Sequence, residues 1–178
     1  MRIIAGTHRG RRIAAPKGAH TRPTSDRTRE ALFSIVGPVA DATVLDLFAG
    51  SGALGLEALS RGARRCVFAD TDAAACRVVQ QNLAHLGLEA AIVLRRDAVS
   101  VLRAEATAGR AYDLILADPP YGDWTTLEAR FAAAVTPVLA PDGLLVVETD
   151  AAVEPELPLD RTTTRRYGSA RLTVFAHP

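Results

Sequence analysis

From Thr43 onward, short apolar runs alternate with longer stretches of helical periodicity. The apolar runs fall at 43–48, 65–69, 91–94, 113–117 and 144–149, each bounded by turn residues. Such runs are the pattern of strands buried on both faces of a parallel sheet. Between them lie predicted helices at 53–61, 72–86, 98–107 and about 126–139. In the second of these, Cys76, Val79, Leu83 and Leu86 share one face, and Gly87 follows as a C-terminal cap. Strand–helix alternation at this spacing predicts an α/β fold with a doubly wound, mostly parallel sheet. Pro141-Asp142-Gly143 signals a turn before the fifth run. Two last segments, roughly 161–167 and 171–176 around Gly168-Ser169, have hairpin spacing and close the sheet antiparallel.

The part before Thr43 follows another pattern. Residues 2–16 read as a short hairpin with Gly6 and Gly10 near its bend. Residues 16–24 have turn chemistry without periodicity, as expected of a loop that orders on binding. Ser25 is placed to cap a leading helix over 25–36, with Asp26 in its first turn and Gly37-Pro38 stopping it. Its predicted apolar face is Ala31, Leu32, Ile35 and Val36. With 178 residues, the chain 1–178 suits one domain, carrying 1–24 as an extension too small to fold alone.

Charge changes the picture of that extension. The net charge is only +1, yet residues 1–30 carry +6 and the remainder −5. Such asymmetry predicts a basic arm for a polyanion on a mildly acidic body. Arg9, Arg11, Arg12, Lys17, Arg22, Arg27 and Arg29 are the candidate phosphate contacts. Twenty of the 21 basic residues are Arg, which suits bidentate phosphate contact, although a GC-rich genome gives the same bias. No apolar run nears the ~20 residues of a membrane span and no signal-peptide pattern opens the chain, so a cytoplasmic, membrane-independent protein is expected. Cys66 and Cys76 lack CxxC or His-pair spacing, so two buried thiols are expected and no metal.

The candidate chemistry sits where two apolar runs end. The first exit reads Asp46-Leu47-Phe48-Ala49-Gly50-Ser51-Gly52 and continues to Gly55, a Gly-x-Gly-x-x-Gly turn opening a helix. That pattern alone equally fits a dinucleotide site with pyrophosphate at the helix N-terminus. Asp46, four residues before the first glycine, argues against it, because a carboxylate there repels phosphate and attracts an ammonium or sulfonium group. Asp70 ends the second run, where an acid accepts ribose hydroxyls. Asp97 follows the third and either accepts from an adenine amino group or caps the next helix, while Asp72 reads as a cap. Acids after three successive strands suit a cationic nucleoside such as S-adenosylmethionine.

The second exit is Asp118-Pro119-Pro120-Tyr121. Two prolines cannot continue a ladder, so the strand ends at Asp118 with a carboxylate, a rigid carbonyl and a ring at the ligand-binding edge of the sheet. The exocyclic amine of a nucleobase is a poor nucleophile because its lone pair is delocalised into the ring. Asp118 and the Pro119 carbonyl accepting its two N–H groups would turn that lone pair toward a methyl donor, while Tyr121 offers a stacking face.

These residues resemble class I S-adenosylmethionine-dependent methyltransferases that act on amines. Arg2-Ile3-Ile4-Ala5-Gly6, the segment Thr21 to Phe33, Asp46 to Gly55, Asp118 to Tyr121 and Arg166-Tyr167-Gly168 together resemble the bacterial RsmD family. The resemblance implies a seven-stranded Rossmann-like sheet and methylation of guanine N2 in 16S ribosomal RNA, within the small ribosomal subunit or its assembly intermediate; a monomer is expected. It places the methionine part of the donor at Asp46, Phe48, Ala49, Gly50, Ser51 and Gly52, the ribose at Asp70 and the adenine edge at Asp97. The guanine falls at Asp118, Pro119, Pro120 and Tyr121. Asp70 departs from the Glu common in the family, and Ser34 from Asn. Three alternatives stay open: N-methylation of DNA adenine or cytosine or of a protein amide, a non-catalytic RNA-binding assembly factor on this scaffold, and a nicotinamide-dependent dehydrogenase.

Overall fold

A computed structural model describes residues 1–16, 25–120 and 122–178. Its centre is a seven-stranded sheet in the order β3-β2-β1-β4-β5-β7-β6. β1 (Thr43–Leu47), β2 (Arg65–Asp70), β3 (Ala91–Arg95), β4 (Tyr112–Ala117) and β5 (Leu139–Asp150) run parallel. β6 (Asp160–Tyr167) and β7 (Ala170–Ala176) form the closing antiparallel hairpin, with β7 inserted between β5 and β6. The order reverses at β1, which pairs with β2 on one side and β4 on the other. This is the switch point at which open α/β sheets form ligand crevices.

Period-two alternation along each central strand feeds two cores. Val44, Cys66, Phe68, Leu114 and Leu116 face the side of α1 (Asp26–Val36), α2 (Ala53–Ser60) and α3 (Ala73–Leu86). Leu45, Leu47, Val67, Ile115 and Ala117 face α4 (Ala98–Thr107) and α5 (Trp124–Val135). Helices on both faces explain why the strands read as continuous apolar runs.

The predicted elements match these within a few residues, with three differences. The fourth intervening helix ends at Val135 and passes into a 3-10 turn, Thr136–Val138. Pro141-Asp142-Gly143 does not precede β5 but interrupts it: Leu139 already pairs with Tyr112, and the register then jumps to Leu114↔Leu144. The buried stripe of α1 is Thr28, Arg29, Leu32 and Phe33, with Ile35 and Val36 only partly covered. Ser25 caps the helix as expected, its side chain accepting the Thr28 N–H.

Residues 1–16 are a docked arm with minimal strand pairing. One antiparallel bridge joins Arg2 to Arg12, while Ile3 and Ile13 are buried in the core on the α2 and α3 side. Gly6 adopts φ +81°, and a Cβ there would lie 1.8 Å from the Ser60 carbonyl oxygen. Gly6→Ala is therefore expected to cost about 3 kcal/mol, combining left-handed backbone strain with a clash against rigid backbone. A lowered urea midpoint with an unchanged m-value checks it.

Candidate active site

The first exit is built around a buried carboxylate. Asp46 is 1% exposed, on the sheet face toward α2, and its Oδ2 accepts the Gly55 N–H at 2.9 Å. Gly55 lies in the first turn of α2, so the carboxylate meets the positive end of the helix. Gly55 must be glycine for lack of space: a Cβ would stand 2.4 Å from Phe68 Cε1 and 2.7 Å from Cys66 Sγ. Burial pushes the Asp46 carboxyl well above the usual carboxylate range, and the negative charges of Asp118 and Asp70 push it further, against the Gly55 N–H. A cation placed beside these three carboxylates would offset the repulsion among them and favour the charged form of Asp46.

The turn leaving β1 is strained and fixed at several points. Phe48, a bulky residue, has φ +60°, a conformation that bulky side chains hold only when the surroundings enforce it. Ala49 N–H donates to the Ala69 carbonyl at 3.0 Å and Gly52 N–H to the Ala49 carbonyl at 2.7 Å. Asp70 Oδ2 accepts the Gly50 N–H and its Oδ1 the Asp72 N–H, both at 2.8 Å. Each oxygen keeps a second lone pair for a hydroxyl donor. Asp97 is exposed and caps α4, accepting the Ser100 N–H at 3.0 Å; the Ser100 bonds hold its carboxyl below the usual range. Asp72 caps α3 through the Ala74 N–H.

The second exit lies directly beside the first. Leu47 pairs with Ala117, so Phe48 and Asp118 are the first residues past two neighbouring strand ends. The Asp118 N–H points at the Leu47 carbonyl from 3.5 Å, and the side chain is half-buried. Pro119 is buried and Pro120 exposed; Tyr121 lies outside the described residues. A cavity of about 60 Å³ opens behind the turn, lined by Pro119, Pro120, Gly122, Trp124, Thr125, Thr149, Asp150 and Val153. Trp124 is held in this wall by its Nε1–H bond to Glu128 at 2.7 Å.

Among the candidate phosphate contacts, Arg9, Arg11, Arg12 and Arg27 are exposed, and Lys17 and Arg22 lie outside the described residues. Arg29 is corrected. It is fully buried, donating to the Arg2 carbonyl at 2.6 Å and Asp26 Oδ1 at 2.9 Å, with Nε 3.8 Å from Glu57. Leu32 and Phe33, three and four positions on, share its inward face, so its charge is spent inside the protein.

Two inward-facing polar residues, Glu57 and Asn82, have roles absent from the sequence reading. Glu57 is fully buried on α2 and accepts the N–H groups of Ile4 at 2.8 Å and Ala5 at 2.9 Å, besides Arg61 at 2.9 Å. A lone acid inside the apolar stretch Ala53 to Ser60 is the available signal. Asn82, buried on α3 among glutamines, carries none. Both cysteines are buried and free. No helix among the described residues is long and apolar enough to cross a membrane.

Comparison with known proteins gives the family and the fold. The sequence pattern of the family described as Conserved hypothetical protein 95 matches residues 1–176. The chain is 40% identical over 159 residues to ribosomal RNA small subunit methyltransferase D of Escherichia coli (strain K12), covering 89% of this chain and 78% of that one. It is 34% identical over 153 residues to the protein of the same name from Haemophilus influenzae, covering 84% and 79%. The solved structure of a hypothetical protein from Thermus superposes with a TM-score of 0.85 at 31% identity, covering 100% of this chain and 99% of that one. With a buried acid and glycine turn facing a Pro-Pro turn across adjacent strands, and relatives of this similarity over most of its length, the chain belongs to the RsmD family of ribosomal RNA methyltransferases.

Proposed function

We propose that this protein transfers the methyl group of S-adenosylmethionine to the exocyclic N2 amine of one guanine in 16S ribosomal RNA, presented in the small ribosomal subunit or an assembly intermediate. The observation that carries the reading is the β1–β4 pairing, which sets the Asp46 turn beside the Asp118-Pro119-Pro120 turn. The donor fits the first exit because Asp46 is a buried carboxylate held by a backbone N–H rather than a cation, beside two more acids. When bound, it supplies an electrophilic methyl on a sulfonium sulfur.

The chain's own residues do the rest. Asp46 balances the donor's positive charge, Asp70 accepts ribose hydroxyls on its remaining lone pairs, and Asp97 accepts the adenine amino group with the oxygen not capping α4. Asp118 accepts the N1–H and N2–H of guanine together, an edge that adenine and cytosine do not present. The Pro119 carbonyl takes the second N2 hydrogen, which leaves the nitrogen lone pair aimed at the donor. The methylated amine, far more acidic than before, passes its proton to an Asp118 oxygen. Tyr121 stacks on the base, and the exposed arginines of the arm hold the phosphate backbone.

Methyl-labelled donor offered to small subunits, naked 16S RNA and duplex DNA, followed by digestion to nucleosides, tests the reading. N2-methylguanosine from ribosomal substrate is the expected product; methylated adenine or cytosine in DNA overturns it. The Arg9→Ala, Arg12→Ala double variant is expected to weaken RNA binding and lower the slope of log affinity against log salt by about 0.7 per arginine. Its donor affinity without RNA should match wild type. Filter binding across a salt series, with calorimetry of the donor, checks both.

A further inference from the structure

Asn82 takes no part in the chemistry above, yet it joins two parts of the site. It is 2% exposed on α3, and its carboxamide makes three hydrogen bonds. Oδ1 accepts the Ala14 N–H at 2.8 Å, while Nδ2 donates to the Ala14 carbonyl at 3.0 Å and the Ser51 carbonyl at 3.0 Å. The Ala14 pair copies a strand pairing, so the amide grips the arm by its backbone. The third bond ends on the middle residue of Gly50-Ser51-Gly52. Met1 makes a second link from the arm, with Sδ 3.9 Å from Ser51 Oγ and 3.7 Å from Arg29 Nη1.

Apart from the Met1 contact, the side-chain ties of this turn come from the sheet: Asp70 holds the Gly50 N–H and Asp46 the Gly55 N–H. The Ser51 carbonyl is held instead by a side chain whose remaining bonds belong to the arm. Both donors of Asn82 are used, and it is buried, so Ala14 cannot lift off Asn82 without leaving polar groups unpaired inside the protein.

We infer that Asn82 is a positioning residue that ties the donor turn to the N-terminal arm, so that ribosomal substrate held by the arm and donor held by the turn tighten each other's binding. The inference rests on the proposed function, which supplies both ligands. Linkage makes the effect reciprocal: whatever factor the substrate adds to donor affinity, the donor adds to substrate affinity.

The test measures S-adenosylhomocysteine affinity by calorimetry, with and without unmethylated small ribosomal subunits, for wild type, Asn82→Ala and Asn82→Asp. The aspartate is nearly isosteric and keeps the Ala14 N–H bond, but it turns a carboxylate on two carbonyl oxygens. In wild type, subunits should tighten the ligand about fivefold or more, within the usual range of site coupling. In both variants that ratio should fall toward one, and methylation assays should show a larger rise in donor KM than fall in kcat. A residue that merely supports the fold would lower the melting temperature and leave the ratio intact. An unchanged ratio, no coupling in wild type, or failure of both variants to fold overturns the role assigned to Asn82. Failure of the wild type to bind S-adenosylhomocysteine at all removes the methyltransferase reading with it; normal binding with an unchanged ratio removes only the coupling.

Discussion

Replacing Asp118 by alanine is expected to slow methyl transfer by about 100-fold or more, an effect of ~3 kcal/mol or above on the barrier, with donor affinity changed only a few-fold. The expectation follows from where charge develops. In the proposed reaction the guanine N2 lone pair is tied into the ring, and transfer needs it localised and pointed at the donor. Asp118 is the first residue past β4, and the Pro119-Pro120 turn that follows fixes the backbone from which its carboxylate projects. Removal takes away an interaction that strengthens as the nitrogen becomes positive, which lowers kcat more than it raises substrate KM. Single-turnover methylation with saturating donor and subunits measures it. Wild-type rates in this variant would take Asp118 out of the chemistry.

The second large effect concerns Asp46 and runs in opposite directions for stability and binding. Its folded-state pKa is raised, first by burial and then by Asp118 and Asp70, so the ligand-free fold holds this proton more tightly than the unfolded chain does. The stability associated with that proton is full below the ordinary carboxylate pKa and is lost as pH rises through the raised value. Asp46→Asn removes the ionisation. The ligand-free variant should melt about 2–4 °C or more above wild type at pH 8, with the gap closing in acid. Donor affinity should fall about tenfold or more, because the sulfonium loses its buried counter-charge. Wild-type donor affinity should rise with pH through the same window and release a proton, read by calorimetry in buffers of different ionisation enthalpy. The Asn variant should lose that dependence. A variant that binds donor as wild type does would separate Asp46 from the donor's charge, and one that melts lower at pH 8 would remove the burial cost assigned to its carboxylate.

Much of the frame is legible because local chemistry and global fold agree. The β1 to β5 runs are apolar on both faces, which fixes a parallel sheet between helix layers, and Gly50-Ser51-Gly52 and Pro119-Pro120 mark where strands must stop. The sheet order is carried by the resemblance, since nothing in periodicity says that the first strand lies beside the fourth. Charge clustering along the chain misplaces Arg29 because it ignores direction around a helix. Its spacing from Leu32 and Phe33 already puts it on the inward stripe. Pro141-Asp142-Gly143 has sound turn chemistry, yet turn propensity cannot tell a loop before a strand from a bulge within one. Asn82 escapes because its meaning lies in two backbone segments, Ala14 and Ser51, brought together only by folding.

The placement of β7 has a consequence for how the protein matures on the ribosome. Synthesis delivers β6 before β7, but β7 occupies the slot between β5 and β6. Until residues 170–176 leave the exit tunnel, β5 therefore presents an open, apolar edge along its whole acceptor side, and β6 has nothing to pair with. β5 also supplies Thr149 and Asp150 to the cavity behind the Pro-Pro turn, and both pair with β7, at Arg171 and Ala170. The sheet therefore cannot be completed by progressive growth from the amino end, since β7 pairs between two strands that both precede it in the chain.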